Sequence, residues 1–161
     1  MGVKLAVTVT ILAAILPFLI VPTYYSNTVY QADIGKEWLW RARATNDLND
    51  MANYLQKSLD QLESYNGNPK WLYPSPDTDY NLIKDNIRET IRNARTWSNQ
   101  TGSSFAYQQA VSNLQETISE IANHIEIANT WLLQQPWIIF ITFIWCWIYV
   151  PAYFINIKVK L

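Results

Sequence analysis

The sequence holds few of the residues from which catalytic and metal sites are usually built. Its 161 residues include one cysteine, one histidine and four glycines. Metal and acid–base centres need several convergent histidine, cysteine or carboxylate groups, and phosphate-binding loops need closely spaced glycines. No GxSxG motif, glycine-rich phosphate loop or Cys–His pair occurs in the sequence. We therefore expect no catalytic, cofactor-binding or metal site, and no enzyme activity.

A disulfide framework is also excluded, because Cys146 is the single cysteine. Helix packing must then hold any folded domain together. The thirteen acidic residues all lie between Asp33 and Glu126, and residues 26–135 are net acidic. A nucleic-acid partner requires a basic surface, so we expect no such partner.

Long uncharged runs are present instead, at residues 5–32 and 127–157. The stretch 137–155 is long enough, at about 1.5 Å per residue, to cross a hydrocarbon layer of roughly 30 Å. The first run favours an uncleaved signal anchor over a cleaved signal peptide, because no small-residue cleavage motif follows it. The sequence thus predicts an all-α membrane protein in which two transmembrane helices flank an extracytoplasmic three-helix bundle or coiled-coil-like hairpin domain.

The predicted domains are an N-terminal transmembrane anchor at residues 1–25, a helical bundle at 26–135, and a second transmembrane helix with a short tail at 136–161. Lysines precede the first uncharged run and follow the second. Basic flanks stay on the cytoplasmic side of a membrane. We therefore predict an integral membrane protein with both termini in the cytoplasm and the bundle outside.

Small residues recur at every fourth position of the first predicted span, at Ala6, Thr10 and Ala14. This spacing lets a second helix approach closely within a membrane. These three residues are therefore candidates for helix packing, either between the two predicted spans of one chain or between chains.

Apolar residues recur at helical spacing in three segments between the uncharged runs. They are Leu48, Ala52, Leu55, Leu59 and Leu62 in residues 33–65; Ile83, Ile87, Ile91 and Ala94 in 79–98; and Tyr107, Val111, Leu114, Ile118, Ile121, Ile125, Ala128 and Leu132 in 104–133. Steps of three and four place each set on one face of a helix. We predict three helices, of which the first is continuous over about 33 residues and roughly 50 Å long. The shorter middle helix and the loop at 71–80 would then lie at the far end of the bundle or fold back from it.

Residues 70–80 form the most distinctive polar–aromatic segment, in which Trp71, Leu72, Tyr73 and Tyr80 accompany two prolines and two aspartates. This composition is typical both of a loop packed over the end of a bundle and of an exposed recognition surface. Both interpretations stay open at this point. The four side chains are candidate partner contacts.

Two further features of the predicted bundle bear on function. Arg88, Arg92 and Arg95 line one helical face, which is either a solvated surface or a docking strip for an acidic partner. Asn99 begins an Asn-Gln-Thr glycosylation motif in a predicted outer loop, so it is a candidate modification site.

The residues favour a non-catalytic two-span membrane protein that works by protein–protein contact, as an accessory or scaffolding subunit of a membrane complex. Its expected partners are the lipid bilayer, other membrane-protein subunits or further copies of itself. One alternative is a ligand-sensing module that signals through a partner, since the order of span, bundle and span is similar to the sensory module of bacterial chemoreceptors. The other alternative is an envelope protein of a membrane-containing virus.

Overall fold

The computed structural model describes residues 8, 11, 15, 19–99, 105–136, 138, 140, 142–147 and 151, and these residues include helices but no β-strand. The prediction of an all-helical chain is thereby confirmed for this part of the sequence. The chain divides into two compact units. One is Thr28–Leu132, and the other combines Met1–Asn27 with Leu133–Leu161.

Four α-helices account for most of the described part of Thr28–Leu132. They are α1 (Tyr30–Ala44), α2 (Leu48–Leu62), α3 (Tyr80–Ser98) and α4 (Phe105–Leu133), with a short 3-10 helix at Pro76–Thr78 just before α3.

The four helices run alternately up and down. Gly35 near the start of α1 faces Leu62 at the end of α2, so these two helices are antiparallel. The hydroxyl of Tyr107, early in α4, donates to the backbone oxygen of Asn46 in the turn after α1. Asn129, late in α4, bonds Tyr80 at the start of α3. The polypeptide therefore enters and leaves the bundle at the same end.

The first predicted helix is in fact two helices, so the prediction of a three-helix bundle is corrected to four. Thr45 leaves α1 with extended backbone angles, φ −93° and ψ 147°. Asp47 then caps α2, since its carboxylate accepts hydrogen bonds from the N–H groups of Asn49 (2.8 Å) and Asp50 (3.0 Å). The chain reverses at this turn, and the long first helix expected from the sequence is not formed.

Small residues let α1 and α2 approach closely. The face that α1 buries consists of Ala32, Gly35, Leu39 and Ala42. A Cβ atom added to Gly35 would lie 3.1 Å from Leu62 Cγ, tighter than ordinary van der Waals contact. Glycine thus provides the space that the Leu62 side chain occupies.

The apolar stripes predicted from the sequence form the core. Every predicted position in α2 and α3 is buried. In α4 the six central positions, from Val111 to Ala128, are buried, while Tyr107 and Leu132 at its two ends are partly buried against the same cluster. The predicted helix faces are therefore confirmed in all three segments.

Among the described residues, no helix combines the length and the apolar character needed to cross a membrane. Of the four bundle helices, the two longest, α3 and α4, are amphipathic and carry charged residues.

This finding corrects the prediction of two transmembrane helices, at 1–25 and 136–161. It also removes the support for an integral membrane protein with cytoplasmic termini and an extracytoplasmic bundle. Most of the two predicted spans, including the packing candidates Ala6, Thr10 and Ala14, lies outside the described residues.

Candidate functional site

The segment between α2 and α3, residues 63–79, forms an ordered loop centred on Asn68. The Asn68 side-chain nitrogen donates to the backbone oxygen of Ser75 at 2.6 Å. Its side-chain oxygen accepts from the Lys70 N–H at 2.9 Å and from the Thr78 hydroxyl at 2.8 Å. Because Thr78 is only 1% exposed, these bonds attach the loop to the interior of the bundle.

The base of this 63–79 loop is fixed independently of Asn68. Gly67 adopts a positive φ of 68°, a conformation that glycine reaches without steric cost. Its carbonyl oxygen accepts the N–H of Tyr80 at 3.0 Å. The two ends of the loop are thereby joined directly where α3 begins.

Lys84, a residue of α3, caps the C-terminal end of α2. Its side chain is buried, and its Nζ donates to the backbone oxygen of Tyr65 (2.6 Å) and to the side-chain oxygen of Asn66 (3.0 Å). It also reaches the Glu63 carbonyl at 3.4 Å. A cation beside these carbonyl oxygens complements the negative end of the α2 dipole.

A buried polar chain next to the loop joins three helices. The Tyr80 hydroxyl of α3 donates to Asn129 Oδ1 of α4 at 2.6 Å, and Asn129 Nδ2 donates to Asp33 Oδ1 of α1 at 2.8 Å. Burial raises the pKa of Tyr80 above its ordinary value, and the nearby Tyr65 and Asp33 raise it further. Tyr80 is therefore a neutral hydrogen-bond donor.

The tip of the 63–79 loop exposes three consecutive large side chains. Trp71 and Leu72 are each 46% exposed, and Tyr73 is 81% exposed. Tyr73 has a φ of 54°, a left-handed backbone conformation that bulky residues seldom adopt. The result is an apolar and aromatic tip, residues 71–73, carried by a loop whose anchoring bonds lie below it.

The structure separates the residues that the sequence grouped as candidate partner contacts. Trp71, Leu72 and Tyr73 lie together on the tip, whereas Tyr80 is 1% exposed and belongs to the core. The loop also lies at the end of the bundle where the unit begins, because the Tyr65 hydroxyl bonds the Thr28 carbonyl oxygen. This is the opposite of the far end expected from three long helices.

The three arginines lie on the exposed face of α3. Arg88 pairs with Asp85 at 2.8 Å and approaches Glu63 at 3.7 Å. Arg92 and Arg95 form no ion pair with another described residue.

Asn99 is exposed at the end of α3. The other two residues of its glycosylation motif, Gln100 and Thr101, lie outside the described residues.

Sequence reasoning missed the roles of Asn129, Asp33 and Lys84. Asn129 follows Ile125 by one helical turn, so its place within the apolar stripe of α4 was a readable signal of a buried polar contact. Asp33 and Lys84 gave no comparable signal, because their partners are distant in sequence.

The described residues contain no group of three or more histidine, cysteine, aspartate or glutamate side chains placed to hold a metal ion. Comparisons with known protein families, with curated proteins and with solved structures give no match to this chain.

Proposed function

We propose that Thr28–Leu132 is a non-catalytic contact module, a helical bundle that binds another protein through residues 71–73 and so acts as a subunit or scaffold of a larger assembly. The observation that supports this proposal is the consecutive exposure of Trp71, Leu72 and Tyr73 on a hydrogen-bonded loop.

Such a loop suits recognition for energetic reasons. Tryptophan and tyrosine contribute more than most residues to protein interfaces, since each covers a large area with few rotatable bonds. A loop that is already ordered loses little conformational entropy when it binds. The left-handed Tyr73 supports the same proposal, because strained backbone conformations cost about 1–3 kcal/mol and concentrate at functional sites.

The test compares two aromatic residues of equal exposure. Tyr73 and Phe105 are each 81% exposed, and Phe105 begins α4, near Trp97 at the end of α3 and away from the loop. Tyr73→Asn removes the ring while keeping a residue that tolerates the left-handed conformation. Phe105→Asn makes the same exchange elsewhere.

The measurement is purification of the full chain with its native companions, followed by native mass determination. We expect a partner in fixed stoichiometry whose affinity falls at least about tenfold with Tyr73→Asn, as for an interface hot spot, and stays unchanged with Phe105→Asn. A chain that emerges alone, or a partner that both variants retain equally, would contradict the proposal.

A further inference from the structure

Two aromatic and two basic side chains form a surface on the α1–α2 hairpin, which we call the Trp38 face: Trp38 and Arg41 from α1, and Tyr54 and Lys57 from α2. The Trp38 and Tyr54 rings stack across the two helices, with centroids 5.9 Å apart and planes 16° apart. Both rings are half-buried, while Arg41 and Lys57 are exposed. The stacked rings therefore hold a fixed position at the base of this surface, and the two cations remain accessible to a binding partner.

Both cations lie against the same ring. Arg41 Cζ is 4.7 Å from the Trp38 ring centroid, and Lys57 Nζ is 4.6 Å from it and 5.6 Å from the Tyr54 centroid. Cation–π contact holds each charge in place without neutralising it. Two positive charges at one ring also repel each other, which an incoming anion would relieve.

Neither of these charges is in an ion pair in the described part of the chain. Glu37 lies one turn before Arg41, and Asp60 one turn after Lys57, yet neither carboxylate pairs with its neighbouring cation. Arg88 on α3 differs, because Asp85 and Glu63 already lie against it. The Trp38 face thus presents two cations that are not in ion pairs, in a region that is net acidic.

We propose that the Trp38 face binds an acidic segment of a partner protein. Carboxylates of that segment pair with the Arg41 guanidinium, whose planar fork suits bidentate contact, and with the Lys57 ammonium. The edges of the stacked Trp38 and Tyr54 rings then pack against the apolar stems of the partner's acidic side chains. This surface is distinct from residues 71–73, so it adds a second contact to the module.

The experiment uses the full chain and a fluorescein-labelled hexaglutamate peptide, with binding followed by fluorescence anisotropy. We expect saturable binding that weakens as ionic strength rises. Arg41→Gln and Lys57→Gln should each weaken binding about fivefold, the upper range for an exposed ion pair. Circular dichroism of each variant confirms that the helices persist.

Arg43→Gln is the matched control. Arg43 lies 5.2 Å from the Trp40 ring on the same helix, and at about 100° per residue Trp40 projects from the opposite flank of α1 to Trp38. This substitution removes the same charge from the same kind of contact and should leave the affinity unchanged.

Three results would overturn the proposal: no saturable binding, equal weakening by Arg43→Gln, or tighter binding of a labelled hexathymidylate than of hexaglutamate. The second would indicate a response to net charge alone, and the third a nucleic-acid surface. Tyr73→Asn should not change binding of the peptide, so failure here is distinguishable from failure of the contact at residues 71–73.

Discussion

At the scale of single residues, Ser58 is the least satisfied group of the described core. It lies in α2 with its side chain fully buried, and its hydroxyl has no hydrogen-bond partner. A buried hydroxyl without a partner loses its hydration and gains nothing in exchange. Helix α1 packs closely against this position at Gly35. The small size of serine, rather than a polar contact, therefore explains its presence here.

Ser58→Ala should therefore raise the free energy of unfolding by about 1 kcal/mol, since it removes the unpaired oxygen and improves helix propensity. Urea denaturation of the full chain measures this change. The control is Thr90→Val in α3, where the buried hydroxyl does donate, to the Asn86 carbonyl at 2.7 Å. It should give no such gain. Destabilisation by Ser58→Ala would mean that the hydroxyl has a partner after all.

At the scale of whole helices, the end of α2 depends on a side chain from α3. Lys84 supplies a charge and three hydrogen bonds to oxygens of Glu63, Tyr65 and Asn66, the residues that directly follow α2. The burial of Lys84 follows from the arrival of the α2 end beside α3, a contact that local spacing does not encode.

Lys84→Met should lower the free energy of unfolding by about 1–2 kcal/mol, because the part-buried Tyr65 carbonyl oxygen and the Asn66 amide oxygen lose a charged donor. Chemical denaturation followed by circular dichroism gives the value. Arg92→Met, which removes a cation from an exposed position of α3, should change it by less than about 0.5 kcal/mol. Equal effects of the two substitutions would refute a capping role for Lys84.

Helix faces were more predictable than helix boundaries. The apolar steps of three and four report directly which side of a helix is buried, and those positions proved correct. The break at Thr45–Asp47 contains neither glycine nor proline, the strongest stop signals, and its Thr-Asn-Asp run is a weaker loop signal that the sequence prediction missed. Asp47 directly before Leu48 is an N-cap signal, but one that a continuous helix with a polar surface also tolerates.

At the scale of the molecule, the series of hydrogen bonds from Tyr80 through Asn129 to Asp33 connects three helices near one end of the bundle. A buried polar contact of this kind stabilises one register, because sliding any helix by a turn would leave several groups unpaired. The sequence could not show this chain, since Asp33 and Asn129 are 96 positions apart. Absence of charge was likewise an insufficient guide to membrane spans, because no described helix is both long enough and apolar enough to cross a membrane.

Tyr80→Phe should lower the free energy of unfolding by about 1–2 kcal/mol at pH 7, because Asn129 Oδ1 loses its donor. Since the pKa of Tyr80 is raised in the folded chain, its contribution is complete below the unfolded value of about 10 and declines as pH rises above it. The native chain should then lose up to about 1.4 kcal/mol per pH unit more than the variant.

Urea titrations between pH 7 and 11 measure both effects. Tyr73→Phe, at the exposed tip, serves as the control and should leave stability at pH 7 unchanged. Parallel curves for the native chain and Tyr80→Phe above pH 10 would show that the tyrosine ionises as easily folded as unfolded.

An even number of helices returns the backbone to its starting level, so Thr28 and Leu132 leave the bundle at the same end. In evolutionary terms this makes the unit extensible. One added heptad in each helix would raise the turn at residues 45–47 by about 10 Å without altering the separation of Thr28 and Leu132. The tip at residues 71–73 would keep its level too, so the height of the bundle and the position of its contact surface can change independently.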